Sequence, residues 1–403
     1  MGARFNKRLL HDPWPYTPLS ESELASEIAR LSGARTIGTT DCVSFQPNGI
    51  PENWNQDRYI VNEFPLLNGS VWKLRAIFDG HLGHETVDHA AEHLPNMIRS
   101  RLQACTDIKP ESVSLILSET IRIYDESLAA NALSILPHED KLSNLSDEEL
   151  QNIINNTTTG GQNHSAILRC MQGTTVIIAL TNPGNEDLWI ASLGDSYAAL
   201  GLQGEDGWEP IPLSACHSGR DIHERERIFR EHPGEPEVLV RGRVLGALAV
   251  TRAIGDHIYK LPRVYTDRVF NLLWSKDEKS FIQSFIYRNH TPPYISNVPD
   301  VRHLDLKSMR FDPRARSSTD HSEKRGMCLL MCTDGLADLY DEEGVIQLLT
   351  IDSACPGIRC DNGALAILHN ALGGADKEKV SAMVTVQMQD KWMDDTTILF
   401  EFL

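Results

Sequence analysis

The sequence predicts an α+β protein with antiparallel sheets, and the order of its elements leads to this class. Predicted strands follow one another in pairs, as do predicted helices, whereas strictly alternating strands and helices would favour a parallel sheet. The chain has 403 residues, of which 41% are hydrophobic and 23% charged, so it has ample material for a large core. We expect an N-terminal arm over 1–34 and one large domain over 35–403, with insertions at about 131–165 and 257–300.

The first part of the chain is predicted to contain three helices and one strand. A helix in the arm is followed by Gly33, which can end it, and an alternating, β-prone strand is predicted over 71–78. The helix after this strand is expected to stop at Pro95, because proline breaks the helical hydrogen-bond ladder. A third helix is predicted over about 111–129.

The rest of the chain is predicted to contain two long irregular segments between regular elements. Residues 131–165 are predicted as loop around a short helix that begins with the capping box Ser146-x-x-Glu149. Residues 257–300 are predicted as a surface insertion. Further strands are predicted over 174–181, 187–194, 196–201, 327–333 and 396–402, and further helices over 221–232, about 342–350, 363–372 and 376–388.

The charge of the chain excludes two classes of partner. A formal net charge of -18 argues against binding to nucleic acid or to anionic lipid, because both require a basic surface. No apolar run approaches the length of a membrane span. An acidic protein that acts on an anionic substrate needs local cations, and metal ions held by clustered carboxylates are one source.

The cysteines and the first ten residues indicate in which cellular compartment the protein is expected. The eight cysteines contain no Cys-x-x-Cys pair, which indicates reduced thiols in an intracellular protein and no zinc site. The first ten residues are basic but lack the apolar segment of a secretory signal. We expect the cytoplasm, with the mitochondrial matrix as the alternative if Arg4, Lys7 and Arg8 belong to a transit peptide.

Acidic residues stand at several strand ends. Apolar strands stop abruptly at Asp79-Gly80 and at Asp334-Gly335, and further acidic positions are Asp57, Asp195 and Asp394. A carboxylate at the end of a buried strand is held rigidly, as a hard divalent cation requires. Spacing alone does not show that these ends converge, because Asp-Gly after a strand is also a common turn signal.

A second family of phosphate-handling enzymes also places aspartate after a strand. Haloacid-dehalogenase-like enzymes use Asp-x-Asp-Gly-Thr, in which the first aspartate is the nucleophile. Here Ile77 and Cys332 occupy the two positions where that nucleophile would stand. The nucleophilic-aspartate hypothesis therefore fails at both strand ends.

The chain resembles the metal-dependent, type 2C family of serine/threonine protein phosphatases. The segments that carry the resemblance are, in chain order, FDGHLG (78–83), GTTVIIAL (173–180), SLGDSYAAL (192–200), LGALAVTRAIGD (245–256), CTDGLADL (332–339) and MDDTTILF (393–400). Residues 224–235 and 289–301 are similar to the pyruvate dehydrogenase phosphatase branch of that family.

The resemblance implies a four-layer αββα sandwich with the active site at one end. It implies that Asp79 bridges two Mg²⁺ or Mn²⁺ ions, that the Gly80 carbonyl binds one, and that Asp334 and Asp394 hold the other. Asp57 would ligate directly or through water.

The resemblance also implies an acid and a further cation. His81 would protonate the leaving oxygen, and Asp195 and Asp338 match positions that bind a third metal in many members. The substrate would be a phosphorylated protein, and we expect a monomer.

The chain departs from the family pattern at three positions. Glu52, followed by Asn53, stands where many members have the arginine that grips the phosphate, Gln56 replaces a glutamate, and Tyr197 replaces an arginine. The missing arginine, with the insertions at about 131–165 and 257–300, motivates an alternative: a non-catalytic pseudophosphatase that acts as a binding module on the same fold. An active phosphatase is the leading hypothesis, because every side-chain metal-ligand position holds aspartate.

Overall fold

The structure is a computed structural model that describes most of the chain. The described residues are 14–47, 55–156, 160–204, 207–274, 276–310, 325–340, 361–387 and 392–403. The predicted helix at 342–350, and Glu52 with Asn53, lie outside them.

Sixteen strands are described. They are β1 (Arg35–Ile37), β2 (Thr40–Phe45), β3 (Arg58–Pro65), β4 (Val71–Phe78), β5 (Gly80–His81), β6 (Gly173–Thr174), β7 (Val176–Thr181), β8 (Asp187–Leu193), β9 (Tyr197–Gly204), β10 (Gly207–Pro212), β11 (Leu239–Val240), β12 (Arg243–Val244), β13 (Ile254–Gly255), β14 (Asp300–Asp305), β15 (Met327–Cys332) and β16 (Thr396–Phe402).

Thirteen α-helices are described. They are α1 (Glu21–Ser32), α2 (Glu85–Ala104), α3 (Pro110–Ile135), α4 (Glu139–Leu142), α5 (Asp147–Asn155), α6 (Gln162–Met171), α7 (Ile222–Glu231), α8 (Arg263–Arg268), α9 (Lys276–Phe285), α10 (Leu306–Met309), α11 (Asp334–Leu339), α12 (Gly363–Leu372) and α13 (Lys377–Thr385). Among the described residues, no helix is both long and apolar enough to cross a lipid bilayer.

Two antiparallel sheets form the centre of the fold. One has the strand order β14-β8-β7-β4-β3 and the other β1-β2-β16-β15-β9-β10. Every strand pair within them is antiparallel. Apolar side chains from both sheets, among them Ile77, Ile190, Leu200 and Met331, form the core between them.

Helices cover the outer face of each sheet. Apolar residues of α2 and α3 pack on the five-stranded sheet through side chains such as Leu94 and Leu117. Helices α1, α12 and α13 cover the six-stranded sheet with side chains such as Ile28, Leu368 and Val380. The four-layer αββα sandwich that the sequence predicts is thus confirmed.

An ion-pair cluster links the two sheets. Glu401 of β16 is 3% exposed and receives Arg75 of β4 at 2.5 Å and Lys73 at 2.6 Å. Thr40 donates a further hydrogen bond to it at 2.6 Å. Burial alone would raise the pKa of Glu401, but Arg75, with Lys73, lowers it to about 2.

The segments 131–165 and 257–300 are more ordered than the sequence predicts. The end of α3, helices α4 and α5, and the start of α6 together occupy most of the first, and α5 begins with the predicted capping box at Ser146. The second contributes buried aromatic rings, including Tyr259, Phe270 and Phe285, to a separate hydrophobic cluster. The expected surface exposure of 257–300 is therefore wrong, because its aromatic residues pack against one another. That this segment is an insertion stays a prediction.

Helix α2 corrects a second prediction. Pro95 lies inside this helix and does not end it. The helix continues to Ala104, and Ile98 and Leu102 remain fully buried beyond the proline. Packing of this apolar face stabilises the turns that proline alone would disfavour. The predicted strands at 71–78 and 396–402 match β4 and β16 in their described bounds.

We expect Glu401→Ala to lower the free energy of unfolding by about 3–5 kcal/mol, because it leaves the charge of buried Arg75 uncompensated. Since the folded pKa of Glu401 is lowered, its contribution is present above about pH 4 and is lost as the pH falls toward 2. Urea unfolding measures both effects. Glu63→Ala is the control, because Glu63 is exposed and lies 3.7 Å from Lys73; equal losses in the two variants would contradict this account.

Candidate metal centre

Three of the predicted carboxylates meet where the two sheets end. Asp79 lies between β4 and β5, Asp195 between β8 and β9, and Asp334 follows β15 as the first residue of α11. Ligand oxygens of these three residues all lie within 4.8 Å of one another. Strands from both sheets therefore bring together residues that are far apart in the chain.

Burial and mutual repulsion act on these carboxylates together. Burial raises the pKa of Asp79 well above its ordinary value, and the charges of Asp334, Asp57 and Asp394 raise it further. Burial also raises the pKa of Asp334, with Asp195 and Asp394 adding to the effect. The pKa of Asp195 rises to about 6, again chiefly through burial. A bound divalent cation would remove this repulsion.

Asp57 is the fourth carboxylate of this group, and we call Asp57, Asp79, Asp195 and Asp334 the acidic cluster. It is 3% exposed, and its Oδ2 accepts a hydrogen bond from the Thr333 hydroxyl at 2.8 Å. Its Oδ1 is buried and has no hydrogen-bond partner among the described residues. Burial, followed by the charge of Asp395, raises the pKa of Asp57 to about 8. A buried carboxylate oxygen without a partner fits a cation ligand.

The remaining predicted residues line the same cleft, which has a volume of about 470 Å³. Asp338 of α11 and Asp394, just before β16, lie on its wall with Gly80. A Cβ atom at Gly80 would lie 2.6 Å from the Gln56 carbonyl oxygen, so only glycine fits there. Asp395 instead accepts hydrogen bonds from the Gln46 side chain and the Gln56 backbone.

His81 pairs with a residue to which the sequence assigned no role. Its Nε2 lies 2.7 Å from Oδ2 of Asp256, which is fully buried. The pairing crosses the backbone of Gly173, where a Cβ atom would lie 2.3 Å from both side chains. Glycine at this position is therefore required for the contact.

A small sheet and helix α3 fix the position of Asp256. Strands β13, β6 and β5 lie side by side, so Gly255 pairs with Gly173, and Gly173 pairs with His81. Gly255 and Asp256 have φ angles of 77° and 53°, a conformation that is unfavourable for aspartate. Asp125 of α3 stabilises this turn by accepting a hydrogen bond from the Gly255 N–H at 2.7 Å.

The sequence predicted no role for Asp256 or Asp125, for different reasons. Asp256 ends the segment 245–256, which carries part of the family resemblance, so an aspartate after Gly255 was an available signal. Asp125 lies within helix α3 and no local pattern marks it. Its role depends on a hydrogen bond with Gly255, which lies 130 residues further along the chain.

Several other residues lie away from the acidic cluster. Arg252 contacts Glu224 at 2.7 Å, which gives it a structural role. Arg58 contacts Asp88 at 2.6 Å and is not among the residues that line the cleft. His89 stacks on His93 and contacts the Tyr124 hydroxyl, as a packing histidine does.

The raised pKa values of Asp57 and Asp195 predict an unusual pH dependence. Between about pH 4 and pH 8 the folded, metal-free protein holds protons that the unfolded chain has lost, so its stability is expected to fall as pH rises. Mn²⁺ should stabilise the protein more at about pH 8 than at about pH 5, because protons compete for its ligands. Thermal unfolding with EDTA or Mn²⁺ measures this, and equal metal-induced shifts at both pH values would contradict it.

Known proteins share both sequence and fold with this chain. A Schizosaccharomyces pombe protein phosphatase 2C homolog is 27% identical over 82% of this chain and 73% of its own length. The mitochondrial [pyruvate dehydrogenase [acetyl-transferring]]-phosphatase 1 of Saccharomyces cerevisiae is 27% identical over 68% of this chain. The human protein of that name is 29% identical over 46%.

The chain matches less than half the length of these two mitochondrial relatives, namely 43% and 32%. The solved structure of a C. elegans sex determining protein aligns with 91% of this chain and 65% of its own, with a TM-score of 0.51 and 17% identity. This structural likeness concerns the fold alone.

The family model described as Protein phosphatase 2C matches residues 60–352, well over half of the chain. The acidic cluster supplies the oxygen ligands that suit Mg²⁺ or Mn²⁺, which agrees with the metal dependence of that family. This chain belongs to the protein phosphatase 2C family of metal-dependent protein phosphatases.

Proposed function

We propose that this protein hydrolyses phosphoserine and phosphothreonine in phosphoproteins, with a water molecule activated by two divalent cations. The observation that carries the proposal is the convergence of Asp79, Asp195 and Asp334 within 4.8 Å. Asp57 adds a buried oxygen without a described partner. Oxygen donors of this kind suit Mg²⁺ or Mn²⁺, whereas Zn²⁺ favours histidine or cysteine.

In this proposal different residues would hold each of the two cations. Asp79 would offer oxygen ligands to both sites, and the carbonyl oxygen of Gly80 to one of them. Asp334 and Asp394 would hold the other cation, and Asp57 would ligate directly or through water. These assignments follow the family resemblance and agree with the burial and repulsion of the side chains.

Asp195 and Asp338 are proposed to hold a further cation beside this pair. Both line the cleft, and the charge of Asp338 contributes to the raised pKa of Asp195. When bound, divalent cations in such sites lower the pKa of water to about 7 and offset charge on the phosphoryl oxygens.

His81 is proposed to protonate the leaving oxygen. A serine or threonine alkoxide is a poor leaving group and needs a proton as the bond breaks. Asp256 engages Nε2 of His81 at 2.7 Å, so Nδ1 is the ring nitrogen that remains to donate this proton. Asp256 acts as a positioning residue because it fixes the orientation of the imidazole ring.

We expect His81→Gln to lower the rate on a phosphothreonine peptide by about 10²–10⁴-fold, the usual contribution of a general acid. The loss on para-nitrophenyl phosphate should be much smaller, because its leaving group departs as a stabilised anion. Asp256→Asn should show the same selectivity in weaker form. Steady-state kinetics with both substrates measures the two ratios.

The pair His303 and Asp187 supplies a control for this experiment. Its Nε2–Oδ1 distance is also 2.7 Å, but neither residue lines the cleft. His303→Gln should affect both substrates equally or leave both unchanged. If His81→Gln reduced hydrolysis of the two substrates by the same factor, the role of His81 as acid would be refuted.

We expect Asp79→Asn to reduce Mn²⁺-dependent release of phosphate by about a hundredfold or more, because it removes the proposed bridging ligand. Phosphate release from phosphopeptides and titration calorimetry with Mn²⁺ measure activity and binding together. The exposed Asp107→Asn is the matched control. A parent protein that neither binds Mn²⁺ nor releases phosphate would instead support the alternative, a non-catalytic binding module.

The compartment and the assembly state are also proposals. We keep the cytoplasm and a monomer as the leading assignment. The mitochondrial names of relatives at 27% and 29% identity support the matrix as the alternative.

A further inference from the structure

Three arginines line the cleft that contains the acidic cluster. Arg220, Arg241 and Arg243 share its wall with Asp79 and Asp334. In a chain with a net charge of -18, a group of three cations in one cleft needs a physical explanation. We call these residues the arginine cluster.

A tight hairpin places two members of the arginine cluster. Strands β11 and β12 pair through Val240 and Arg243, so Arg241 and Gly242 form a two-residue turn. Their φ angles are 55° and 73°, as a type I′ turn requires. Glycine adopts this conformation freely, but arginine does not. Arg241 therefore occupies a strained position at the tip of the hairpin.

Close glycine contacts bring Arg220 onto the same turn. A Cβ atom at Gly219 would lie 2.5 Å from the Gly242 carbonyl oxygen, so the two backbones touch. A Cβ atom at Gly242 would lie 2.9 Å from Cγ of Arg220. The backbone N–H of Gly219 also donates to the Ala249 carbonyl at 3.0 Å. The structure thus holds the three arginines on two touching segments.

The arginine cluster has no described acidic partner. Other arginines nearby are neutralised: Arg227 and Arg252 share Glu224 at 2.8 Å and 2.7 Å. Within the described ranges, Arg220, Arg241 and Arg243 form no ion pair. Arg243 donates to the Ala247 carbonyl at 2.9 Å, while Arg220 and Arg241 are exposed.

Uncompensated guanidinium groups beside a metal site favour an anionic ligand. A planar guanidinium binds carboxylates and phosphates through paired hydrogen bonds. Unless metal is bound, the acidic cluster would repel a carboxylate or phosphate at its own end of the cleft. The arginine cluster is therefore the part of the cleft that attracts an anionic ligand.

We propose that the arginine cluster binds a second anionic group of the substrate, next to the phosphoserine or phosphothreonine that is hydrolysed. The inference rests on the proposed phosphatase function and narrows its substrate class. Preferred substrates are phosphoproteins whose target residue is flanked by acidic side chains or by another phosphate. Both sources supply the same chemistry, a fixed negative charge within reach of Arg220 and Arg241.

The test compares three phosphothreonine peptides of equal length with neutral flanks, with acidic flanks, and with a second phosphoresidue. We expect the protein to favour the two anionic peptides by about tenfold in kcat/KM, mainly through KM, with the preference falling as salt rises. Arg220→Gln/Arg241→Gln should remove this preference while keeping the side-chain stems that pack near Gly242. The difference between acidic and doubly phosphorylated peptides identifies the source of the charge.

Arg225→Gln/Arg230→Gln is the matched control, because both arginines are exposed on α7 and neither lines the cleft. It should retain the preference for anionic peptides, and the melting temperature of each variant checks folding. Equal kcat/KM for the three peptides, or a preference that survives loss of both arginines, would overturn this inference alone. Absence of Mn²⁺-dependent hydrolysis of every peptide would overturn the proposed function and this inference with it.

Discussion

Several carboxylates lie close together at the ends of the two sheets, and the packing of the whole protein has to offset the electrostatic cost of this arrangement. Asp57 is buried and Asp79, Asp195 and Asp334 are partly buried, and loss of solvation together with repulsion between carboxylates raises the pKa of each. The rigid ends of two packed sheets impose this arrangement, since the side chains alone would separate. Packing of the core between and around the sheets thus offsets the free-energy cost of this repulsion, and binding of a cation would reduce that cost.

The pKa of another buried carboxylate, that of Glu401, is shifted in the opposite direction. Glu401 is 3% exposed, but Arg75 and Lys73 contact it directly, and its pKa is lowered to about 2. One carboxylate thus joins the two sheets as the anionic partner of an arginine and a lysine, whereas the others repel one another and have raised pKa values, so that without a cation they hold protons more readily. The contrast distinguishes a structural carboxylate from a ligand more clearly than burial does.

The order of paired strands and helices predicted the α+β class with antiparallel sheets, whereas the four layers and the shared site of the acidic residues were expected only from the family resemblance. Apolar strands that stop at Asp79 or Asp334 are visible without a structure, but their spacing does not show which strand ends meet. The contact between His81 and Asp256 was not visible, because it depends on strands of only two residues. Such strands are too short for any periodic pattern. Packing also overrode local preference at Pro95, where a buried helix face continues.

Gly173 has a consequence for comparing this chain with its relatives. A side chain at this position would separate His81 from Asp256, since a Cβ atom would lie 2.3 Å from both. The residue has no functional group and takes part in no chemistry, yet its small size is a condition for the pairing. In a set of related sequences, replacement of this glycine would mark lineages that have lost the orienting contact even where every aspartate is retained. A single backbone position can therefore distinguish decay of proton transfer from decay of metal binding.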